Sequence, residues 1–301
     1  MDEMVVETKG LSKRFRNGVR AVDSLAMHVR RGEVYGFLGP NGAGKTTTLR
    51  LLTGLSRPTE GSAMVAGHPA GSSAGLARIG ALIESPGFYP FLSGRENLRV
   101  VAALAGTDGR RVEAALDSVG LASSASRRFG TYSTGMKQRL GVAAALLKEP
   151  ELLILDEPSN GLDPQGMAEM RRFVRSLAEG GRTVLLSSHL LSEVQQVCDR
   201  VGVISGGRLI AEESVAALTG EPRLLLRAEP MEVAHDLLAR EFGPEAVRRR
   251  DGLLQLAVPP GQSWDVNRRL TAAGIAVSEL RAQEASLEEV FFQLTEKEAS
   301  S

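Results

Sequence analysis

The sequence predicts an α/β fold over residues 1–220, followed by a small α+β domain over residues 221–301. Three observations support this prediction. A short apolar run, Val34 to Leu38, leads into a glycine-rich loop and then a helix. Two later apolar runs have polar residues where the carboxyl ends of parallel strands would lie. Beyond residue 221, the pattern follows the β-α-β-β-α-β order of a ferredoxin-like unit.

The composition is that of an ordinary globular protein. Its 301 residues include 36 basic and 36 acidic side chains, so no general affinity for polyanions is implied and no nucleic-acid partner is expected. Cys198 is the only cysteine, which excludes an internal disulfide and a cysteine zinc site and favours a cytoplasmic location. No apolar run approaches about 20 residues and no signal peptide is recognised, so a role at a membrane would require docking onto a partner.

The glycine-rich loop fits the pattern G-x-x-x-x-G-K-[ST]. It comprises Gly39, Pro40, Asn41, Gly42, Ala43, Gly44, Lys45, Thr46 and Thr47. Glycines let the backbone curl so that successive N–H groups point inward and form an anion nest, and the positive end of the following helix adds to the attraction. Lys45 can reach the outer phosphates of a nucleoside triphosphate, and the Thr46 hydroxyl is placed to ligate Mg²⁺. The strand and helix on either side disfavour an accidental glycine turn.

Residues 4–38 alternate short β-rich runs with turns, which predicts an antiparallel β subdomain before the loop. Within it, Phe15 lies among Lys13, Arg14 and Arg16. A ligand base could stack on the phenyl ring, and a partly buried ring on an edge strand is an equally good interpretation.

The segment between the first helix and residue 92 combines polar and aromatic stretches. Residues 70–77 are small and polar and are predicted to form a surface loop. A strand over residues 78–83 ends at Glu84, and residues 85–92 then carry three aromatic residues and two prolines. Such a loop would be a poor surface for solvent. We interpret Phe88–Phe91 as facing a partner, with folding back onto the protein's own core as the alternative.

A helical insertion is predicted over about residues 93–147. Residues 93–96 have the S-x-x-E form of a capping box that starts a helix. A second helix N-terminus follows at Ser133, Thr134 and Gly135, where Ser133 is a good N-cap and the exposed N–H groups suit an anion. A plain capped helix is the alternative interpretation of these three residues.

Two further apolar strands carry polar residues to one edge of the predicted sheet. The run 152–157 ends in Asp156 and Glu157. A nucleotide's Mg²⁺ needs an oxygen ligand and an attacking water needs a base, and side-chain alternation sends the two carboxylates to different positions for those tasks. A turn containing Asp163 follows. His189 comes after the next strand, from where an imidazole could reach a γ-phosphate, although a lone histidine is usually structural.

Taken in order, these motifs resemble those of the ATP-binding subunits of ABC transporters, and the resemblance covers about residues 4–215. The matching segments are Walker A at 39–47, the Q-loop with Glu84, the signature motif at 132–138, Walker B at 152–157, the D-loop at 159–163 and the switch histidine at His189. Any one of these motifs could mislead, but together they are specific.

The resemblance implies a role for each matching residue. Phe15 would stack on the adenine, and Gly39–Thr47 would bind the phosphates. Thr46, Asp156 and Glu84 would bind Mg²⁺. Glu157 would act as the general base, and Lys45, His189 and Glu84 would assist catalysis. It also implies that Ser133, Thr134, Gly135 and Asp163 contact the ATP held by a second ATPase subunit. The expected assembly is a homodimer with two shared ATP sites.

The sequence departs from the family pattern at three places. The signature reads Tyr-Ser-Thr-Gly-Met instead of Leu-Ser-Gly-Gly-Gln, Phe15 replaces tyrosine, and Glu84 replaces glutamine. Glu84 keeps an oxygen for Mg²⁺, but it adds a negative charge near the phosphates and loses an amide donor, so hydrolysis is expected to be slower or differently coupled.

Glu84 and the residues after it resemble the bacterial drug and peptide-antibiotic export branch of the family, the bacitracin type. Members of this branch pair with separate membrane subunits. The resemblance therefore implies an ATPase that powers an exporter from the inner face of the cell membrane, with the permease docked near Phe88–Phe91. The alternative is a soluble ABC-type ATPase not engaged in transport. Such proteins usually carry two ATPase units or a long coiled coil, and this sequence has neither.

The C-terminal region contains no recognisable catalytic constellation. Its predicted elements are strand 223–228, helix 231–242, strand 246–250, turn 251–252, strand 253–258, helix 263–273, strand 275–280 and a closing helix 286–296. The run Arg248-Arg249-Arg250 is more typical of a solvated turn than of a nucleic-acid or lipid site. We interpret this region as a regulatory or assembly module.

Overall fold

A computed structural model describes residues 3–219, 223–250, 252–283, 286–288 and 290–292. The chain forms two compact units that divide after Ser214. The sequence prediction placed the boundary at residue 220, after the short helix Val215–Thr219, which the contact pattern assigns to the second unit.

The first unit contains two sheets. Its strands are β1 (Met4–Arg14), β2 (Arg20–Leu25), β3 (His28–Arg30), β4 (Val34–Leu38), β5 (Glu60–Val65), β6 (His68–Pro69), β7 (Ile79–Leu82), β8 (Leu152–Asp156), β9 (Thr183–Ser188), β10 (Arg200–Ser205) and β11 (Arg208–Ser214). Its helices are α1 (Lys45–Leu52), α2 (Ser73–Arg78), α3 (Gly94–Leu104), α4 (Arg111–Ser118), α5 (Thr134–Leu146), α6 (Pro164–Glu179) and α7 (Leu191–Val197).

The larger sheet positions the candidate site. Its six strands have the order β11-β10-β4-β9-β8-β7, and all neighbours are parallel except β10 and β11. The strands β4, β8 and β9 are buried along their whole length, which is why they read as continuous apolar runs. The register pairs Leu38 with Ser188 and Asp156 with Ser187, so the carboxyl ends of these three strands lie side by side.

The smaller sheet is antiparallel, as predicted for the segment before the glycine-rich loop. Strand β1 pairs with β2, β3 and β5, and β5 pairs with β6. The prediction for residues 70–77 was wrong in part, because α2 begins at Ser73. The Ser72 hydroxyl accepts a hydrogen bond from Gly75 N and so caps this short helix.

The helical insertion consists mainly of α3, α4 and α5, which share an apolar core that includes Leu98, Leu116 and Leu140. The predicted capping box is confirmed: Ser93 and Glu96 exchange hydrogen bonds with each other's backbone N–H. Helix α6 begins directly after the predicted turn, with Asp163 as its N-cap.

The second unit has the predicted β-α-β-β-α-β order. Its remaining elements are α8 (Val215–Thr219), β12 (Arg223–Glu229), α9 (Met231–Phe242), β13 (Val247–Arg250), β14 (Leu253–Leu256), α10 (Ser263–Ala272) and β15 (Ala276–Gln283). The sheet has the order β13-β14-β12-β15 and is antiparallel throughout. Of the predicted closing helix 286–296, residues 287–288 and 290–292 are helical and residue 286 is not. Residues 289 and 293–296 lie outside the described residues, as does position 251 of the predicted turn.

Among the residues described above, no helix combines the length and the apolar character needed to cross a bilayer.

Candidate functional site

The glycine-rich loop turns directly from β4 into α1. Gly44, the N-cap of α1, has a φ of 110°, and a Cβ at this position would lie 2.2 Å from the Ala21 carbonyl oxygen. Only glycine fits there without strain. The first turn of α1 has neither a side-chain cap nor an acidic residue, unlike α5 and α6, which are capped by Ser133 and Asp163. The N–H groups at the start of α1 are therefore suited to an external anion.

This turn forms one side of an open cavity of about 440 Å³. The cavity is lined by Ala21, Pro40, Asn41, Gly42, Gly44, Lys45, Thr46, Thr47, Glu157, Asn160 and His189. The structure thus brings the predicted phosphate-binding loop together with two predicted catalytic residues from the ends of β8 and β9. Asn160 and Ala21 were not among the sequence-predicted site residues.

Lys45 is held at the centre of this cavity. Its side chain is only 6% exposed, and the ammonium donates hydrogen bonds to the carbonyl oxygens of Gly39 at 2.7 Å and Pro40 at 3.4 Å. Its Nζ also lies 3.4 Å from Glu157 Oε1. These contacts fix a positive charge between the loop and the end of β8, where the outer phosphates of a nucleotide would be neutralised.

Asp156 and Thr46 form an oxygen pair below the loop. The Thr46 hydroxyl donates a 2.9 Å hydrogen bond to Asp156 Oδ2, and the Asp156 side chain is almost fully buried. Oxygen donors are the ligands that Mg²⁺ prefers, and this ion usually takes one or two protein oxygens together with substrate phosphates and water. The donor set of Thr46 and Asp156 therefore fits Mg²⁺.

Glu157 and His189 are joined by a hydrogen bond. His189 Nδ1 lies 2.8 Å from Glu157 Oε2, and the side chains of the two residues are 40% and 21% exposed. The backbone of Glu157 has a φ of 49°, an unfavourable conformation for a non-glycine residue. Such a conformation persists only where surrounding contacts hold it. It turns the glutamate carboxylate toward both Lys45 and His189.

Ser187 is the buried side chain at this site that sequence reasoning missed. Its hydroxyl donates to Asp156 Oδ1 at 2.5 Å and accepts from Glu157 N at 3.0 Å. The only signal in the sequence is a hydroxyl residue near the end of an otherwise apolar strand. That signal acquires meaning through the pairing of β9 with β8, which local sequence does not reveal.

The residues predicted to contact the ATP of a second subunit lie around a second cavity of about 430 Å³. Its lining residues are Ser133, Thr134, Gly135, Arg139, Gly161, Leu162, Asp163, Gln165, Gly166, Glu169 and Met170. The Ser133 and Asp163 side chains cap α5 and α6 by accepting from Met136 N and Gly166 N. None of these lining residues belongs to the first cavity. The structure therefore places the predicted loop and catalytic residues Lys45, Glu157 and His189 at one cavity and the predicted contacts of a second subunit at another.

Comparisons with known proteins agree with this arrangement. The family described as "ABC transporter" matches residues 22–160. The bacitracin transport ATP-binding protein BcrA of Bacillus licheniformis is 40% identical over 297 residues, which cover 96% of this chain and 97% of BcrA. This chain belongs to the ATP-binding proteins of ABC transporters. The resemblance stated from the sequence is thus confirmed, and the chain is a member of an ATPase family whose cassette binds ATP.

Two further similarities extend this result. The daunorubicin/doxorubicin resistance ATP-binding protein DrrA of Streptomyces peucetius is 39% identical over 306 residues, 96% of this chain and 92% of DrrA. The structure of cbiO1 from Clostridium perfringens, part of the ABC transporter complex cbiONQ, matches 80% of this chain and 96% of cbiO1. Its TM-score is 0.65 at 26% identity. The predicted α/β cassette fold is therefore confirmed.

Glu84, the predicted Q-loop residue, is not among the residues that line the first cavity. Its backbone has a φ of 63°, and its Oε1 accepts a 2.5 Å hydrogen bond from Arg50 Nη2 in the last turn of α1. The Glu84 side chain is 58% exposed. The predicted catalytic and metal-binding roles of Glu84 would require the carboxylate to exchange Arg50 for the metal.

Phe15, the predicted adenine-stacking residue, follows the end of β1. The residue is 42% exposed, and Lys13 Nζ lies 5.4 Å from the centre of its ring. Phe15 is outside the set of residues that line the first cavity. Its ring is accessible to a stacking partner on the surface of the antiparallel sheet.

The aromatic loop after Glu84 combines both interpretations made from the sequence. Phe88 packs edge-to-face on Phe129 in the core of the helical insertion, with ring centres 5.2 Å apart. Tyr89 and Phe91 are 51% and 66% exposed. The Asn97 side chain accepts from Tyr89 N and donates to Tyr89 O, which anchors the loop. One aromatic ring thus belongs to the protein's own core, and two remain on the surface.

Proposed function

We propose that this protein hydrolyses MgATP at sites shared between two copies of the chain and drives the export of a drug or peptide antibiotic through a separate membrane subunit. The observation that carries the proposal is the match to BcrA along almost the whole chain, including the second unit. The clustering of Lys45, Thr46, Glu157 and His189 around one cavity supports the hydrolytic part.

The first cavity would hold the triphosphate. The free N–H groups at the start of α1 and the Lys45 ammonium would bind the β and γ phosphates, and Phe15 would stack on the adenine. Thr46 and Asp156 would hold Mg²⁺, with Glu84 as a further oxygen ligand once released from Arg50. The metal would supply neutralisation of the charge that develops on the leaving phosphate oxygens.

Glu157 would act as the general base. Its carboxylate would accept a proton from the attacking water as the oxygen of that water bonds to the γ-phosphorus and the bond to the β-γ bridging oxygen breaks. His189 would hold the Glu157 carboxylate in place and contact the γ-phosphate. Because Lys45 also lies within 3.4 Å of Glu157, phosphate binding would draw the ammonium away and leave the carboxylate freer to accept the proton.

The second cavity would bind the ATP of another copy. It contains a helix N-terminus capped by Ser133, together with Thr134, Gly135 and the D-loop residue Asp163. A closed dimer in which each copy offers this surface to the other's first cavity would complete two identical sites. The separation of the two groups of residues in a single chain is the support for this assembly.

The exposed rings of Tyr89 and Phe91 are the proposed docking point for the permease. They project from a loop that Asn97 and Phe88 fix to the helical insertion, so a force applied there would be transmitted to the ATPase unit. Docking would place the protein on the cytoplasmic face of the cell membrane. The second unit, which the match to BcrA includes, is proposed to serve regulation or assembly.

The proposal can be tested by expressing the chain with the membrane protein encoded beside it in a host sensitive to bacitracin and daunorubicin. Growth at raised drug concentration should require both subunits and should be lost with Glu157→Gln. The purified Glu157→Gln variant should also retain ATP as a dimer without turning it over. Normal ATPase turnover with no drug resistance and no binding to the membrane protein would favour a soluble ABC-type ATPase instead.

A further inference from the structure

Ser187, near the end of β9, contacts Asp156, the last residue of β8, and Glu157, which follows it. We propose that Ser187 is a positioning residue that orients Asp156 for the metal and holds Glu157 in the conformation needed for catalysis. This inference rests on the proposed function, because it gives Ser187 a task in the same ATP site.

The Ser187 hydroxyl makes two hydrogen bonds, one as donor and one as acceptor. The residue is fully buried, and the parallel register places it directly opposite Asp156. Its oxygen accepts a hydrogen bond from the Glu157 backbone N–H at 3.0 Å, so its single proton is free to be donated to Asp156 Oδ1 at 2.5 Å. A hydroxyl has one donor and two acceptor positions, which permits both bonds at once.

The hydrogen bond from Ser187 gives the two carboxylate oxygens of Asp156 different partners. Oδ1 is taken by Ser187 from the sheet side, and Oδ2 accepts from the Thr46 hydroxyl. A carboxylate fixed at one oxygen by a short, charge-assisted bond cannot rotate freely about its last torsion. Oδ2 is therefore presented next to Thr46, where the proposed metal would be bound.

The bond to Glu157 holds a strained backbone. With a φ of 49°, Glu157 would relax to an ordinary conformation unless its N–H and its side chain were anchored. Ser187 anchors the N–H, and His189, two residues further along the same segment, anchors the carboxylate. Without the Ser187 hydroxyl, the partly buried Glu157 N–H would lose its partner and the carboxylate would be free to move away from His189.

A purely structural hydroxyl would behave differently, and β9 supplies the control. Thr183, at the start of the same strand, is also fully buried, and its hydroxyl accepts a hydrogen bond from Gly32 N at 2.9 Å. Thr183→Val removes that bond at nearly constant volume, far along the strand from Asp156. It should lower stability without affecting metal binding.

The test measures two properties of the full-length protein. In the Glu157→Gln background, retention of a fluorescent ATP analogue is titrated with Mg²⁺, and in the wild-type background kcat and KM are measured for MgATP. We expect Ser187→Ala to raise the half-saturating Mg²⁺ concentration about tenfold and to lower kcat by at least about tenfold, with analogue binding in the absence of Mg²⁺ unchanged. Ser187→Thr, which keeps the hydroxyl, should recover most of both values, and Thr183→Val should change neither.

Three results would overturn the inference. They are a folded Ser187→Ala variant with the wild-type Mg²⁺ requirement and kcat, an equal effect of Thr183→Val, and an equal loss in Ser187→Ala and Ser187→Thr. If Ser187→Ala does not fold, Ser187→Cys keeps the size with a weaker donor and should give intermediate values. A wild-type protein whose nucleotide retention ignores Mg²⁺ would instead contradict the proposed function.

Discussion

Glu84 is joined to α1 through a solvent-exposed ion pair with Arg50. The Arg50 and Glu84 side chains are 43% and 58% exposed, so the pair contributes only about 0–1 kcal/mol to stability. Replacing either partner should therefore leave the protein folded. Changes in turnover would then report the charge of Glu84 and not a loss of structure.

Glu84→Gln is expected to increase ATP turnover about fivefold. Once released from Arg50 toward the proposed metal, the Glu84 carboxylate would bring a unit negative charge near the phosphates, which in a solvated site costs about 1 kcal/mol and corresponds to that factor. The matched variant Arg50→Met removes the same ion pair but leaves the carboxylate without its partner, and it should shift turnover in the opposite direction. Steady-state ATPase assays on the three proteins provide the measurement, and equal turnover in wild type and Glu84→Gln would remove this role for the charge.

At the scale of elements, the loop between β7 and α3 separates two kinds of aromatic side chain. Phe88 lies on Phe129 in the core of the helical insertion, whereas Phe91 is mostly exposed. Phe88→Ala should lower the free energy of unfolding by about 2 kcal/mol, because it opens a space in a packed cluster. Phe91→Ala should change it by less than about 0.5 kcal/mol.

The same two variants distinguish folding from docking. Urea unfolding measures the stability difference, and co-purification with the membrane subunit measures docking. Phe91→Ala should weaken co-purification while leaving the ATPase activity of the isolated protein intact. Equal co-purification of wild type and Phe91→Ala would argue against docking through this ring.

Glu33, in the turn between β3 and β4, is expected to make the free energy of unfolding depend on pH. Glu33 is buried there, where it accepts hydrogen bonds from Arg30 N at 2.7 Å and Arg200 Nη1 at 3.1 Å. Burial raises the pKa of Glu33 above its ordinary value of 4.5, although both hydrogen bonds act in the opposite direction. The folded state thus binds the proton more tightly than the unfolded state.

Because of this difference, the contribution of Glu33 to stability is fully present below pH 4.5 and is lost as the pH rises through the higher folded pKa. Urea unfolding of wild type and Glu33→Gln from pH 4.5 to 7.5 should show the advantage of the wild type shrinking with rising pH. Glu60→Gln, at the exposed start of β5, serves as the control. A constant difference between wild type and Glu33→Gln across this range would contradict the raised pKa.

Local sequence patterns predicted the elements well where caps and periodicity agreed. Helix α9 has the predicted bounds because Pro230 precedes it and Gly243 follows its apolar periodicity. The pattern failed at α2, where Ser72 caps a helix of small residues that read as a loop. Nor could the local pattern tell the buried ring of this loop from the exposed ones, because the burial of Phe88 depends on Phe129, far away in sequence.

The candidate site was also only partly predictable from local sequence. The residues of the glycine-rich loop and the β8 carboxylates were recognisable because each motif is contiguous in sequence. The contacts of Ser187, and the pairing of Glu84 with Arg50, depend on register and loop conformation, which a linear pattern does not contain. The partition of the predicted residues into two cavities likewise became visible only in three dimensions.

At the scale of the whole molecule, this partition would give each chain two half-sites in the proposed dimer. Lys45 belongs to one cavity and Ser133 to the other, and the two cavities have no lining residue in common. In a dimer with shared sites, a defect in Lys45 and a defect in Ser133 damage opposite halves. The two defects can therefore complement each other if they lie on different chains.

We expect Lys45→Ala and Ser133→Arg to abolish hydrolysis separately and to restore part of it when the two proteins are mixed. In a mixed dimer, one site combines both defects and the other combines the intact loop of one chain with the intact Ser133 of its partner. Random pairing would yield about a quarter of the wild-type number of sites, since half of the dimers are mixed and each has one intact site.

ATPase assays across mixing ratios give the measurement, with Lys45→Ala mixed with Glu157→Gln as the control. Both of those defects fall in the first cavity of the chain that carries them, so every site in that mixture is damaged and activity should stay absent. Failure of the first mixture to exceed its components would show that each chain acts alone.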